Sequence, residues 1–179
     1  MTFLFTDVEG STALLRRLGS DAYAKELARH RLTLREVIDR HHGVEVDTQG
    51  DAFFVAFASA RRAVAAALSG QEALKAGVIG VRMGLHTGEA LPTDEGYVGL
   101  DVHRAARIAG VAHGGQVVIS AATRQLLGSD VEVRDLGEHE RPVRSRASLP
   151  TWQWRVSAVG ESLPHESARP RYCLCGSRA

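Results

Sequence analysis

Apolar residues fall in short runs whose spacing changes along the chain, and each change marks an element. Residues 2–7 set Phe3, Leu4 and Phe5 among threonines, the make-up of a short buried strand. Glu9-Gly-Ser-Thr12 then supplies a tight turn and an N-cap ahead of Ala13-Leu-Leu-Arg-Arg-Leu18, where a helix begins. Over residues 21–42, Tyr23, Leu27, Leu34, Val37 and Ile38 recur at helical spacing, and Gly43 is a natural stop. Residues 44–48 and 52–57 read as two strands around a Gln49-Gly50 turn, a hairpin with Asp51 just past the glycine. An alanine-rich helix follows over 59–74, with Val64 and Leu68 on one face. A strand over 81–91 leads through a turn-rich stretch, 91–99, to a helix over 100–112 that Gly114 and Gly115 break. A strand over 116–120, a short helix over 121–127 and a strand over 131–137 complete the pattern. The order is βααββαβαβαβ. Strand, helix, hairpin, helix, strand is the skeleton of an α+β, ferredoxin-like antiparallel sheet with helices packed on it.

After about residue 140 the periodicity stops and Arg, Ser, Pro and Trp dominate, with only a weak strand pattern at 151–156. Residues 1–140 therefore read as one domain, and 141–179 as a basic, poorly ordered tail. Charge divides at the same place. The tail holds seven arginines against two glutamates, a balance of +5, which leaves −4 for residues 1–140 out of the overall +1. An acidic body disfavours nucleic acid as a partner. No run approaches the roughly 18 apolar residues of a membrane span, Met1 leads straight into a strand-like run rather than a signal peptide, and Cys173 and Cys175 lie too close in sequence to make a disulfide framework. A cytoplasmic protein without a membrane partner is expected.

Two acidic residues change this picture. Asp7 and Asp51 each sit at the edge of an apolar strand, and the hairpin can bring them side by side. A carboxylate in an apolar setting costs several kcal/mol unless paired, whereas a divalent cation turns two of them into ligands. Carboxylate ligands favour Mg²⁺ or Mn²⁺, ions that bind substrate phosphates. The plainer alternative is that each aspartate caps a turn. Glu9, Gly10, Ser11 and Thr12 open a helix, so their backbone donors suit a phosphate, although a simple helix cap has the same sequence. Arg104 and Arg107 lie three apart on the helix over 100–112 with His103 between them, and the small residues Ala105, Ala106 and Ala109 give a long guanidinium room to extend. His86 reads as a strand residue between turns, and no His/Cys pair has zinc spacing.

Taken in order, five segments resemble the catalytic domain of the class III nucleotidyl cyclases, over about residues 2–138. They are Phe3-Leu-Phe-Thr-Asp-Val-Glu-Gly-Ser-Thr12, Thr48-Gln-Gly-Asp-Ala-Phe-Phe-Val-Ala-Phe57, Arg82-Met-Gly-Leu-His-Thr-Gly-Glu89, Tyr97-Val-Gly-Leu-Asp-Val-His-Arg-Ala-Ala-Arg-Ile108 and His113-Gly-Gly-Gln-Val-Val-Ile-Ser120. The resemblance implies that Asp7 and Asp51, with Val8 beside them, hold two Mg²⁺ or Mn²⁺ ions, and that the backbone from Val8 to Thr12 holds phosphates. It implies cyclisation of a purine nucleoside triphosphate, ATP or GTP, to the 3′,5′-cyclic nucleotide plus pyrophosphate. Arg107 matches the arginine that neutralises charge at the α-phosphate, and His103 stands where the family has a ribose-orienting asparagine. The groups would come from two copies of the chain in a homodimer. At the base-selecting positions stand Asp47, where the family has a lysine, and Gly96; Asp47 can accept from guanine N1 and N2 hydrogens. The family's phosphate-binding lysine has no counterpart, since no lysine follows Lys75. These departures give the alternative: a nucleotide-binding regulatory module of the same fold with little or no turnover.

Overall fold

The computed structural model describes residues 1–129, 131–138 and 152–157. Most of the expected tail, 141–179, lies outside the described residues.

The chain runs β1 (Thr2–Val8), α1 (Ser11–Leu18), α2 (Ser20–Arg40), β2 (Val44–Gln49), β3 (Ala52–Phe57), α3 (Ala60–Leu74) and β4 (Val81–Thr87). These elements form the ferredoxin-like skeleton that the apolar pattern predicts: β1 lies between β3 and β4, antiparallel to both, and β2 pairs antiparallel with β3 at the sheet edge. A small hairpin of β5 (Leu91–Thr93) and β6 (Gly96–Val98) then precedes α4 (Leu100–Val111), β7 (Val117–Ser120), α5 (Ala121–Gln125), β8 (Glu132–Glu138) and β9 (Trp152–Ser157). The main sheet has the order β2-β3-β1-β4-β7-β9-β8. It departs from an all-antiparallel arrangement at one place, where β7 runs parallel to β4. The weak strand pattern at 151–156 becomes β9, inserted between β7 and β8, so the sheet draws on residues beyond 140.

Alternation along β1 assigns its side chains to the two faces of the sheet. Leu4 and Val8 join Phe53, Val55, Phe57, Val81, Met83 and Leu85 in the main core, under Leu34, Val37 and Ile38 of α2 and Ala63, Val64 and Ala67 of α3. Each Val, Leu, Ile, Phe or Met side chain among them, removed from water, contributes on the order of 1.5–3 kcal/mol. Phe3 and Phe5 face the opposite side, where they pack with Phe54, Ala56, Tyr97, Val102 and Ala105 beneath α4. Asp7 continues that parity. The approach of α4 to β4 depends on Gly84: a Cβ there would lie 2.1 Å from the Ala109 backbone nitrogen. Helix and strand therefore meet backbone to backbone, with no side chain between them.

Candidate active site

Asp7 sits near the end of β1, directly across the ladder from Arg82 on β4. The guanidinium takes up the carboxylate, with Nε 2.9 Å from Oδ2 and a second, closer contact from the same group. On the other side of β1 the β3 register pairs Thr6 with Phe53, and its continuation brings Asp51 level with the end of β1. The turn bearing Asp51 is tied down from α2. Arg31 donates through Nε to the Gly50 carbonyl at 3.0 Å, and Arg35 forms a two-pronged ion pair with Glu45, both contacts at 2.9 Å. Tyr23 of α2 feels both aspartates. Burial raises its phenol pKa first, and the charges of Asp51 and Asp7 raise it further against an opposing hydrogen bond with Ser11.

The carboxylates differ in what they offer. Asp7 already has a cation beside it, whereas Asp51 Oδ2 is buried without a hydrogen-bond partner. An orphaned carboxylate oxygen is costly in a folded chain and suits a divalent ion. Asp51 therefore fits such an ion, whereas the Asp7 carboxylate is held by Arg82. Val8 has no ligating side-chain atom, and its isopropyl group is sealed in the core at 2% exposure, so any contribution falls to its carbonyl. Among the described residues no cluster of three or more His, Cys, Asp or Glu side chains is placed to hold a metal.

Beyond Asp7 the chain turns into α1 through Gly10, whose φ of 66° lies in the left-handed region. Gly10 is itself the N-cap, and no side chain caps the helix. The first-turn N–H groups at Ser11 and Thr12 thus keep their capacity for an anion. Glu9 is turned elsewhere. Its Oε2 accepts from the Gly114 N–H at 3.1 Å, its Oε1 lies 3.2 Å from His113 Nδ1, and its own N–H donates to the Gly80 carbonyl at 2.9 Å. The Gly114 N–H, then His113, hold the Glu9 carboxyl below its ordinary value. Glu9 thus clamps the turn to the two loops beneath it.

Asp47 and Gly96 are brought near one another. Asp47 is exposed on β2 and accepts from Gln49 Nε2 at 2.8 Å. Gly96, on β6, has a φ of 127° that favours glycine, and a Cβ there would lie 2.6 Å from Val46 Cγ1, on the residue next to Asp47. Bulk at position 96 is excluded by both backbone and space.

His103 and Arg107, four apart, share the exposed side of α4, while Ala105, Ile108 and Ala109 face the sheet. Neither side chain makes a hydrogen bond or ion pair among the described residues. Exposed Leu100 lies on the same face by spacing, and exposed Val98 and Leu91 belong to the adjoining hairpin. The start of α4 is fixed by Asp101, which accepts from Arg104 at 2.5 Å and from the Glu89 N–H at 2.9 Å, and lies 3.1 Å from His86 Nε2. Burial opposes ionisation of Asp101, but these hydrogen bonds outweigh it and hold the carboxyl below its ordinary value. His86 Nδ1 lies 2.7 Å from Ser120 Oγ, so a buried polar chain links α4 to β4 and β7.

Sequence reasoning missed three groups: Arg82, Asp101 and His30. The first two needed the register and the helix docking, which spacing does not give. His30 had a signal, since it is the polar member of the series 23, 27, 30, 34, 37 along α2, and it is 1% exposed. Burial pushes its pKa down, against the opposing influence of Asp51.

This sheet with its helices is the nucleotide cyclase fold, and the chain belongs to the adenylate and guanylate cyclase catalytic domain family, whose profile matches residues 1–154. It is 42% identical over 160 residues to the uncharacterized protein Rv0891c of Mycobacterium tuberculosis, an alignment covering 86% of this chain and 54% of that protein. The chain thus spans about half the length of the curated relatives it matches. Among solved structures it is similar to an adenylate cyclase from Trypanosoma brucei described in its monomeric state, with a TM-score of 0.78, 26% identity and coverage of 89% of this chain and 90% of that one. The guanylyl cyclase Cya2 matches with a TM-score of 0.74 and 26% identity over 92% of this chain and 94% of that one.

Proposed function

We propose that this domain converts a purine nucleoside triphosphate, ATP or GTP, to its 3′,5′-cyclic nucleotide and pyrophosphate, in the cytoplasm, as a homodimer using two Mg²⁺ or Mn²⁺ ions per site. The observation that carries this is the buried, unpartnered Oδ2 of Asp51 near Asp7, beside a helix N-terminus that no side chain caps. Bound at these carboxylates, the ions supply Lewis acidity that lowers the pKa of the ribose 3′-hydroxyl and neutralises phosphate charge. The chain's own groups do the rest. The N–H groups at Ser11 and Thr12 receive phosphate oxygens. The ribose 3′-oxygen attacks the α-phosphorus as its proton leaves to solvent, and the bond from that phosphorus to the β-bridging oxygen breaks to release pyrophosphate. Arg107, exposed and without a partner among the described residues of its own chain, stabilises the developing charge from the second copy, and His103 donates to the ribose. Leu91, Val98 and Leu100, exposed around that face, supply apolar surface for the contact between copies.

Asp47 accepts from guanine N1 and N2 hydrogens when Gln49 releases it, which makes GTP the chemically better match. The second reading is a nucleotide-binding module without turnover, favoured by the ion pair that Arg82 makes with Asp7. Incubation with Mn²⁺ and ATP or GTP, at concentrations where sedimentation shows a dimer, should give cyclic product. Nucleotide binding without product from either substrate would establish the second reading in its place.

A further inference from the structure

Among the described residues, only three buried side-chain nitrogen or oxygen atoms lack a hydrogen-bond partner, and they belong to two side chains: Nδ1 and Nε2 of His30, and Oδ2 of Asp51. The two residues are neighbours in space. His30 stands in the middle of α2, with its ring edge-on to Phe53, 6.0 Å between centroids, and Phe53 follows Asp51 by two residues. The next residue along α2, Arg31, holds the Gly50 carbonyl immediately before Asp51. One turn of α2 therefore grips the chain on both sides of this aspartate.

Burying an imidazole with neither nitrogen satisfied costs stability, and a leucine or phenylalanine would pack at the same point in the apolar stripe without that cost. Asp51 acts on the ring through both its backbone and its charge, against a smaller opposing influence from Arg31. We propose that His30 is the positioning residue of Asp51: its ring, set against the main chain at Asp51, holds that segment so that the carboxylate Oδ2 stays free for the divalent cation. Carboxylate and imidazole ligands are commonly oriented by such outer partners, and losing one typically weakens metal affinity by about 10–100-fold. The inference rests on the cation reading given above.

The full chain without nucleotide is titrated with Mn²⁺ alone, free ion being followed by its electron paramagnetic resonance signal, and metal-free stability is measured by urea unfolding. His30→Leu and His30→Phe remove the donor but keep apolar bulk. Whichever of the two folds should be as stable as the unchanged protein or more so, yet bind Mn²⁺ about tenfold more weakly. His30→Gln, which retains an N–H donor, should stay within about threefold. A purely structural histidine would move the unfolding midpoint and leave Mn²⁺ affinity alone. Unchanged Mn²⁺ binding in the apolar variants, or an equal loss in His30→Gln, overturns the proposal. Asp51→Ala separates the two levels: if it leaves Mn²⁺ binding intact, the cation reading falls and this inference with it. If only Asp51→Ala weakens binding, the cation reading stands and the role of His30 is refuted.

Discussion

If Arg107 serves the site of a second copy, two inactive variants should repair one another. The perturbation is Arg107→Ala in one chain and Asp51→Ala in another. Arg107 is exposed on α4 and makes no hydrogen bond or ion pair among the described residues of its own chain, so its loss leaves the fold intact. Removing one donor aimed at charge that develops in the transition state costs about 2.7–4 kcal/mol, or about 10²–10³ in turnover. Asp51→Ala silences the site whose carboxylates it supplies. Neither homodimer should then turn over appreciably. In a two-fold dimer each site takes its carboxylates from one copy and its arginine from the other. After equal mixing and subunit exchange, about half the dimers contain one chain of each kind, and in those one site carries both lesions while the other carries none. The mixture should recover about one quarter of the unmodified rate at equal total protein. Cyclic product is quantified by chromatography against both homodimers as baselines. A mixture no faster than the average of those baselines, with mixed dimers shown by sedimentation, refutes the reach of Arg107 across copies. So does full activity of Arg107→Ala alone.

Two further outcomes follow from the packing. Gly84→Ala sets a Cβ 2.1 Å from the Ala109 nitrogen and 2.5 Å from its Cα, backbone atoms that cannot swing away; the expected cost is about 3 kcal/mol, the upper end for overpacking, read as a lower urea midpoint, and an unchanged midpoint contradicts the backbone contact. Burial holds His86 below its ordinary pKa of 6.5 despite the opposing hydrogen bond to Asp101, with Arg104 adding to the depression. The unfolded chain therefore binds this proton first, so the stability contributed by neutral His86 is complete above about pH 6.5 and is lost as pH falls towards its folded pKa. His86→Gln should flatten the fall in urea midpoint between about pH 7.5 and 5.5, and an identical slope in the variant would count against it.

The skeleton was legible because its signals are local. Phe3, Leu4 and Phe5, the stripe on α2 and the glycine turn at 50 each announce an element within a few residues. The β5–β6 hairpin was not, since three-residue strands interrupted by Pro92 leave no periodicity to read. The parallel pairing of β4 with β7 is a long-range choice, set by how α4 crosses over Gly84 rather than by the pattern of either strand. At the candidate site, residue types announced Asp7 and Asp51, but not the states they occupy. That Arg82 already engages Asp7, that Glu9 turns to His113 and Gly114, and that Asp51 Oδ2 is left unpaired are facts of register and docking. Spacing along a sequence carries no information about which of two nearby carboxylates finds a cation within its own chain.

The backbone contact between Gly84 and Ala109 also bears on how such a domain can be controlled. A helix seated directly on a strand has no side-chain layer to act as a bearing, so α4 has little freedom to slide or roll over β4. In the proposed dimer, Arg107 therefore moves with the rigid body of its own copy. Opening or closing the site becomes a matter of turning one whole copy against the other, and an incoming signal needs to act only on that angle.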